Sequence, residues 1–189
     1  MSRPVNRRWP ELSSVHTVIF DFDGVFTDNK IYVSETGGEM VRCDRADGLA
    51  MDMLRRYQRN GLINARFFIL SREKNNVVLA RARKVGLECR HGVGDKVKFM
   101  KRYFAQHHRE IKDPFAGVVF LGNDLNDLEL MRAAGFSVAP RDAHARVKKA
   151  ASVVLPQAGG EGFVRAFVER FLGIEKLNVG EVDELISDC

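Results

Sequence analysis

Short apolar, β-branched runs recur along this chain, and each is followed by a segment in which apolar residues return at helical spacing. Residues 16–22 (HTVIFDF), 65–70 (ARFFIL), 87–91 (LECRH), 116–122 (AGVVFLG), 136–139 (FSVA) and 152–155 (SVVL) read as strands. Helical spacing covers 47–61, 75–86, 96–108, 126–135, a stretch from about Ala143, and 162–173. Gly61 and Gly86 follow two of these helices as stop signals, and Asp95 precedes another as an N-cap. This alternation specifies an α/β, Rossmann-like fold, with a mainly parallel sheet covered by helices on both faces. One segment interrupts it. Residues 30–44 (KIYVSETGGEMVRCD) are two alternating runs around Gly37 and Gly38, the pattern of a β-hairpin inserted straight after the first strand.

The expected organisation is an N-terminal extension at 1–14, one α/β domain at 15–173 with a hairpin flap at 29–45 and no large cap domain, and a C-terminal tail at 174–189. The tail is expected to be mobile or to dock on a partner. At 189 residues, 45% of them apolar, the chain suits a single core. Thirty Lys and Arg against 25 Asp and Glu leave a charge of +5, which favours anionic ligands. The basic patches RPVNRR (3–8) and KVKFMKR (96–102) lack the interleaved aromatic residues of a stacking platform, so no nucleic-acid partner is expected. Cys43, Cys89 and Cys189 have no metal-like spacing, and no apolar run is long enough to cross a membrane; both fit a reduced, cytoplasmic setting. His91, His107 and His108 lie in polar surroundings and read as surface residues.

In an open parallel sheet, ligands bind at the carboxyl ends of the strands. There the chain places Asp21 and Asp23, then Ser71 and Arg72, then Lys96, and finally Asn123, Asp124, Asn126 and Asp127. Carboxylates gathered in this way repel one another unless a cation sits among them. All the candidate donors are oxygens, which favours Mg²⁺ over zinc. Lys96 and the Ser71 hydroxyl, with Arg72 beside them, are suited to holding the oxygens of a phosphoryl group. No GxxxxGK[ST] loop is present, so a nucleotide-binding version of this chemistry is disfavoured. A carboxylate is then left as the nucleophile, forming an aspartyl-phosphate.

DFDGVFTD (21–28), the Ser ending FFILS (67–71), the Lys in GVGDK (92–96) and GNDLND (122–127) resemble, in that order, the four motifs of the haloacid dehalogenase superfamily of phosphohydrolases. The longer stretches DGVFTDNKIYVSETGGE and AGGEGFVRAFVE are similar to its small capless phosphatases of sugar acid phosphates, typified by those acting on 3-deoxy-D-manno-octulosonate 8-phosphate. REKNNVVLARARKVGL also resembles the phosphatase-like domain of acylneuraminate cytidylyltransferases.

The resemblance implies that Asp21 is the nucleophile and Asp23 the general acid and base, the latter also touching the metal through its main-chain carbonyl. Ser71 and Lys96 would hold the phosphoryl oxygens. Asn123, with Asp124 or Asp127, would complete the Mg²⁺ shell, and Asn126 would orient the phosphate or Asp127. It further implies a homotetramer in which one subunit's hairpin reaches toward its neighbour's site. The expected substrate is a small anionic sugar phosphate, 3-deoxy-D-manno-octulosonate 8-phosphate first and a nonulosonate 9-phosphate second. A receiver-type signalling module and a non-catalytic partner of a cytidylyltransferase are the rival readings. Asn123 stands where the superfamily usually has Asp, and Ala46 where Arg is expected beside Asp47-Gly48.

Overall fold

The computed structural model describes residues 8–187. Arg3 and Arg7 of the N-terminal basic patch, and Cys189, lie outside the described residues. Six parallel strands form one sheet: β1 (Thr17–Phe20), β4 (Arg66–Leu70), β5 (Glu88–Arg90), β6 (Val118–Leu121), β7 (Phe136–Ala139) and β8 (Val153–Val154). The strand order is β5-β4-β1-β6-β7-β8, with every neighbouring pair parallel. From β1 the chain runs outward through β4 and β5, then returns to place β6 on the other side of β1. The strand order therefore reverses between β1 and β6, where a doubly wound sheet opens a crevice for ligands.

Alternation along the central strands feeds two cores. Val18 and Phe20 of β1 face a cluster with α1 (Ala46–Arg59), α2 (Asn76–Lys84) and α6 (Phe163–Leu172), whereas Ile19 faces α3 (Lys96–His107), α4 (Leu128–Ala133) and α5 (Ala145–Ala150). The same alternation divides β6, with Val119 and Leu121 on the first side and Val118 and Phe120 on the second. Both faces of β1 and β6 are covered, which is why these segments read as continuous apolar runs.

The hairpin is a separate two-stranded antiparallel sheet, β2 (Thr27–Val33) with β3 (Glu39–Cys43), turned at Gly37 with φ +80°. The helix expected at 126–135 starts later, at Leu128, because residues 125–127 form a 3₁₀ turn. Residues 174–187 fold back on their own chain: α7 (Val179–Ile186) begins with an Asn178–Glu181 capping box, packs beside α1 and buries Leu185. Trp9, in the segment before β1, docks its ring against Phe136 and Phe167, with centroids 5.1 and 6.0 Å away.

The N-terminus of α6 has glycine at its cap position and so no side-chain cap of its own. Asp47, fully buried on α1, supplies one from outside by accepting the Arg165 N–H at 3.1 Å. Burial pushes the Asp47 carboxyl up to about 7.

The histidines at the amino ends of the strands differ from the sequence expectation. His108 is half-buried rather than a surface residue, and its ring stacks on that of His16 with centroids 4.2 Å apart. His16 reaches Thr17 Oγ1 through Nδ1 at 2.8 Å, and Phe104 stands edge-on to it. Neither His16 nor His108 has a protein partner at Nε2. Burial lowers the pKa of both, and for His108 the neighbouring His16, His107 and Arg66 lower it further. The folded protein therefore binds fewer protons here than the unfolded chain, and stability falls as pH drops through and below 6.5, the ordinary histidine value. Substituting His108→Phe keeps a ring on His16 and removes one titrating group, so its melting temperature should fall less than wild type between pH 7.5 and 5. Equal losses in the two proteins would show that the pair has no part in acid sensitivity.

Candidate active site

The turn after β1 is wound on one carbonyl. Phe22 O accepts the N–H groups of Val25, Phe26 and Thr27 at 3.2, 2.9 and 3.3 Å, and the buried Thr27 Oγ1 accepts those of Gly24 and Asn29 at 3.1 Å each. Gly24 sits at φ +77°, and a methyl group there would collide with the side-chain amide of Asn123. Gly159 and Gly160 lie directly against the backbone of Gly24, Thr27 and Asp28, so AGGEG packs on this turn within its own chain.

Asp21 directly follows β1 at 4% exposure, and its N–H bonds to Leu121 O across the sheet at 2.9 Å. Lys96, the first residue of α3, is 5% exposed and stretches over the Phe120 ring. Its ammonium donates to Asp21 Oδ1 at 2.7 Å and to Asp127 Oδ1 at 2.6 Å. Burial alone would lower the pKa of Lys96, but the two carboxylates outweigh it and raise it, so the side chain is a cation. Asp21 is pushed upward by burial and then by Asp127, with Lys96 opposing both. One ammonium thus serves two buried carboxylates and leaves an excess of negative charge. A cation in the cavity would remove it.

Asp127 is fully buried, and its Oδ2 accepts the N–H groups of Asn123 at 2.9 Å and Asp124 at 3.2 Å. It thereby closes the capping box of the 3₁₀ turn after β6, and it does not border the cavity. Ser71 directly follows β4 and is buried, held by its N–H to Arg90 O and its carbonyl to Val93 N–H at 2.9 and 3.0 Å. Its hydroxyl oxygen accepts the Glu73 N–H at 3.0 Å, which leaves the hydroxyl proton to donate.

A cavity of about 410 Å³ brings together Asp21, Asp23, Ser71, Arg72, Asn123, Asp124 and Asn126. Arg72, Asp124 and Asn126 are exposed at its rim. Asp23 is half-buried; burial, then Glu73, raise its carboxyl to about 6. Asp28, the third acid of DFDGVFTD, turns away to Arg42 at 2.9 Å and lies outside this lining. Asn29, Glu73 and Lys74 also line the cavity, and the motifs had not singled them out. Asn29 carried no sequence signal, yet it is the non-glycine residue with positive φ, +60°, among the described residues. Glu73 and Lys74 directly follow Ser71 and Arg72, so their nearness in sequence was the available clue.

Among the described residues, no group of three His, Cys, Asp or Glu side chains could hold a metal ion. A cation here would need a mixed set of donors, and the structure supplies one. Asn123 is 7% exposed, and its Oδ1 is buried beside the cavity without a protein partner. An orphaned amide oxygen next to a buried carboxylate is the chemistry a hard cation takes.

Comparison with known proteins agrees with this geometry. Residues 58–167 match the haloacid dehalogenase-like hydrolase family. Among solved structures, a protein from Streptomyces avermitilis described as a HAD family hydrolase superposes with a TM-score of 0.79 at 32% identity, over 92% of this chain and 95% of its own. The 3-deoxy-D-manno-octulosonate 8-phosphate phosphatase of Yersinia pestis gives 0.74 at 26%, over 86% and 83%. In sequence, the phosphatase of that name from Salmonella typhi is 28% identical over 90% of this chain and 84% of its own. N-acylneuraminate cytidylyltransferase A of Danio rerio is 26% identical over 90% of this chain, which spans only 38% of that protein's length. A buried Asp–Lys pair at the switch point, a sheet of this order and these matches agree: the chain belongs to the haloacid dehalogenase-like hydrolases.

Proposed function

We propose that this hydrolase is a Mg²⁺-dependent, cytoplasmic phosphatase of a sugar acid phosphate, working through a phosphoryl group carried on Asp21. The observation that carries the reading is the Asp21 carboxylate, buried beneath the cavity and held by Lys96 at 2.7 Å. Asp21, the main-chain carbonyl of Asp23 and Asn123 Oδ1 would hold the ion, with Asp124 at the rim. Asp127 supports Lys96 and the loop, since its oxygens are engaged by protein donors. When bound, the ion supplies Lewis-acid polarisation of a phosphoryl oxygen and offsets its charge.

The remaining steps belong to the chain. Ser71 holds a phosphoryl oxygen, Lys96, outside the cavity lining with two donors on Asp21 and Asp127, offers its third to another, and Arg72 and Asn126 steady the group from the rim. A carboxylate oxygen of Asp21 attacks phosphorus while the bond from phosphorus to the sugar oxygen breaks. Asp23, whose carboxyl is raised to about 6 and so holds its proton to higher pH than an ordinary carboxyl, delivers that proton to the leaving oxygen. It then takes a proton from water, whose oxygen attacks phosphorus and releases Asp21 and inorganic phosphate.

The relatives named for 3-deoxy-D-manno-octulosonate 8-phosphate make that compound the first substrate to test. The match to acylneuraminate cytidylyltransferases makes a nonulosonate 9-phosphate the second. We also propose a homotetramer built through the hairpin. Ile31, Tyr32, Val33 and Met40 stand 57–63% exposed on it, an apolar surface that a second copy would cover.

Asp21→Asn should abolish phosphate release from either sugar acid phosphate and from p-nitrophenyl phosphate, and EDTA should do the same to wild type until Mg²⁺ is restored. Full activity in the Asn variant would exclude Asp21 as nucleophile. Lys96→Met leaves two buried carboxylates without their cation and should lower the urea-unfolding free energy by about 3–5 kcal/mol. Gel filtration should give a tetramer that Tyr32→Glu shifts to smaller species, whereas a monomeric wild type at micromolar concentration would remove the assembly from the proposal.

A further inference from the structure

We propose that α3 and the edge strand β5 form a second binding site, separate from the phosphoryl site, that takes a nucleoside 5′-monophosphate. The stretch KVKFMKR (96–102) is basic, and the phosphoryl site uses only its first residue, Lys96. Beyond Lys96, α3 contributes Phe99, Arg102, Tyr103, Gln106 and His107 to a cavity of about 360 Å³ that Arg90 of β5 also lines. No residue of this lining borders the cavity at Asp21.

Secondary structure assembles the wall. Phe99, Tyr103 and His107 follow one another at intervals of four residues and so share one face of the helix, with Arg102 and Gln106 in the adjoining row. The rings of Tyr103 and His107 pack with centroids 4.5 Å apart. On β5, Cys89 packs toward the core that α1 and α2 cover, so strand alternation puts Glu88 and Arg90 on the α3 side. Among the described residues no strand lies beyond β5, which leaves this side of the sheet open to a ligand.

The polar groups here lack acceptors. Tyr103 is 8% exposed, and its hydroxyl is buried without a hydrogen-bond partner. Burying a phenol in this state costs free energy that a bonded ligand would recover. Burial raises its pKa, and Arg66 and Arg90 oppose the rise, so both guanidiniums act on this spot. Arg102 is exposed and has no ion-pair partner among the described residues. Arg90 is paired with Glu88 through Nη2 and keeps its other N–H groups. The lining itself holds two guanidiniums and no carboxylate.

Each part of the wall selects a part of the ligand. Two guanidiniums and a phenol O–H suit a phosphate, which can accept from all three. The half-buried Phe99 ring offers a surface on which a flat base stacks, and the Gln106 amide offers a donor and an acceptor to the base edge. A bare anion would leave the aromatic wall unused, and a neutral aromatic would leave the guanidiniums unused. One short platform serves a single nucleotide, whereas a strand needs successive platforms for successive bases.

Calorimetric titration of adenosine 5′-monophosphate into the full-length protein tests the site, with EDTA present to hold off metal-dependent turnover. Wild type should bind one equivalent about tenfold more tightly than it binds adenosine or inorganic phosphate. Arg102→Ala, a change at an exposed position, should weaken binding about tenfold, and Asp21→Asn should leave it unaltered. Tyr103→Phe should weaken it by a similar factor of about ten, yet melt without nucleotide at the same temperature as wild type or higher, because it deletes an unpartnered buried hydroxyl. A lower melting temperature with unchanged nucleotide affinity would make that hydroxyl structural and overturn its role. The site is overturned by absence of binding, by binding that Arg102→Ala leaves intact, or by binding that Asp21→Asn removes. Inorganic phosphate or adenosine binding as tightly as the nucleotide would overturn the assignment of the ligand.

Discussion

The site is organised by one ammonium group shared between two buried carboxylates. Lys96 reaches Asp21 on β1 and Asp127 in the loop after β6, and so ties the first residue of α3 to both sides of the crevice where the strand order reverses. None of the three side chains is more than 6% exposed, so water screens them little and the contact is geometrically demanding. Its electrostatic balance is incomplete, because two negative groups face one positive group. A structural ion pair would be better served by equal numbers. The surplus makes sense where a further cation joins, and this is the main physical ground for the proposed chemistry.

Asp127 shows how one residue couples fold and site. Its Oδ1 steadies Lys96, while its Oδ2 gathers the N–H groups that turn the loop and present Asn123. On the facing side, Thr27 and the Phe22 carbonyl wind the turn that leaves room for the Asn123 amide at Gly24. Gly159 and Gly160 press on that turn from behind. Small residues here serve close approach between backbones, and bulk at any of them would move the proposed ligand set as a unit.

Much of this was legible because local pattern and global fold agree. The buried parallel strands read as apolar runs, and Asp95 announced the start of α3 through a cap that the structure confirms at 2.8 Å to the Lys98 N–H. The convergence of Asp21, Ser71 and Asn123 followed from placing each just after a strand, and that of Lys96 from the short loop that leads from β5 into α3. What periodicity could not express was the direction of individual polar groups. Asp124 and Asp127 look equivalent in GNDLND, yet one is exposed at the rim and the other is sealed beneath Lys96. Asp28 shares one short motif with Asp21 and Asp23, yet Arg42, brought near by the hairpin, holds it aside. The His16–His108 stack was equally hidden, since 92 positions separate residues that meet only when the end of α3 packs beside the start of β1.

The hairpin distributes its chemistry unevenly along its length. Near its base, Arg42 bridges Asp28 and Glu161, and on its flank Glu39 accepts a hydrogen bond from Asn75 Nδ2 at 2.6 Å, the same asparagine whose Oδ1 caps α2. Polar ties therefore anchor it to the domain on two sides, while Ile31, Tyr32, Val33 and Met40 remain turned to solvent. A flap meant to fold down over its own site would place its apolar residues toward that site and keep its polar ties breakable. Here the ties run to the body of the domain and the exposed apolar residues are not part of the cavity lining, so closure is better supplied by another molecule docking on the hairpin than by a hinge within it.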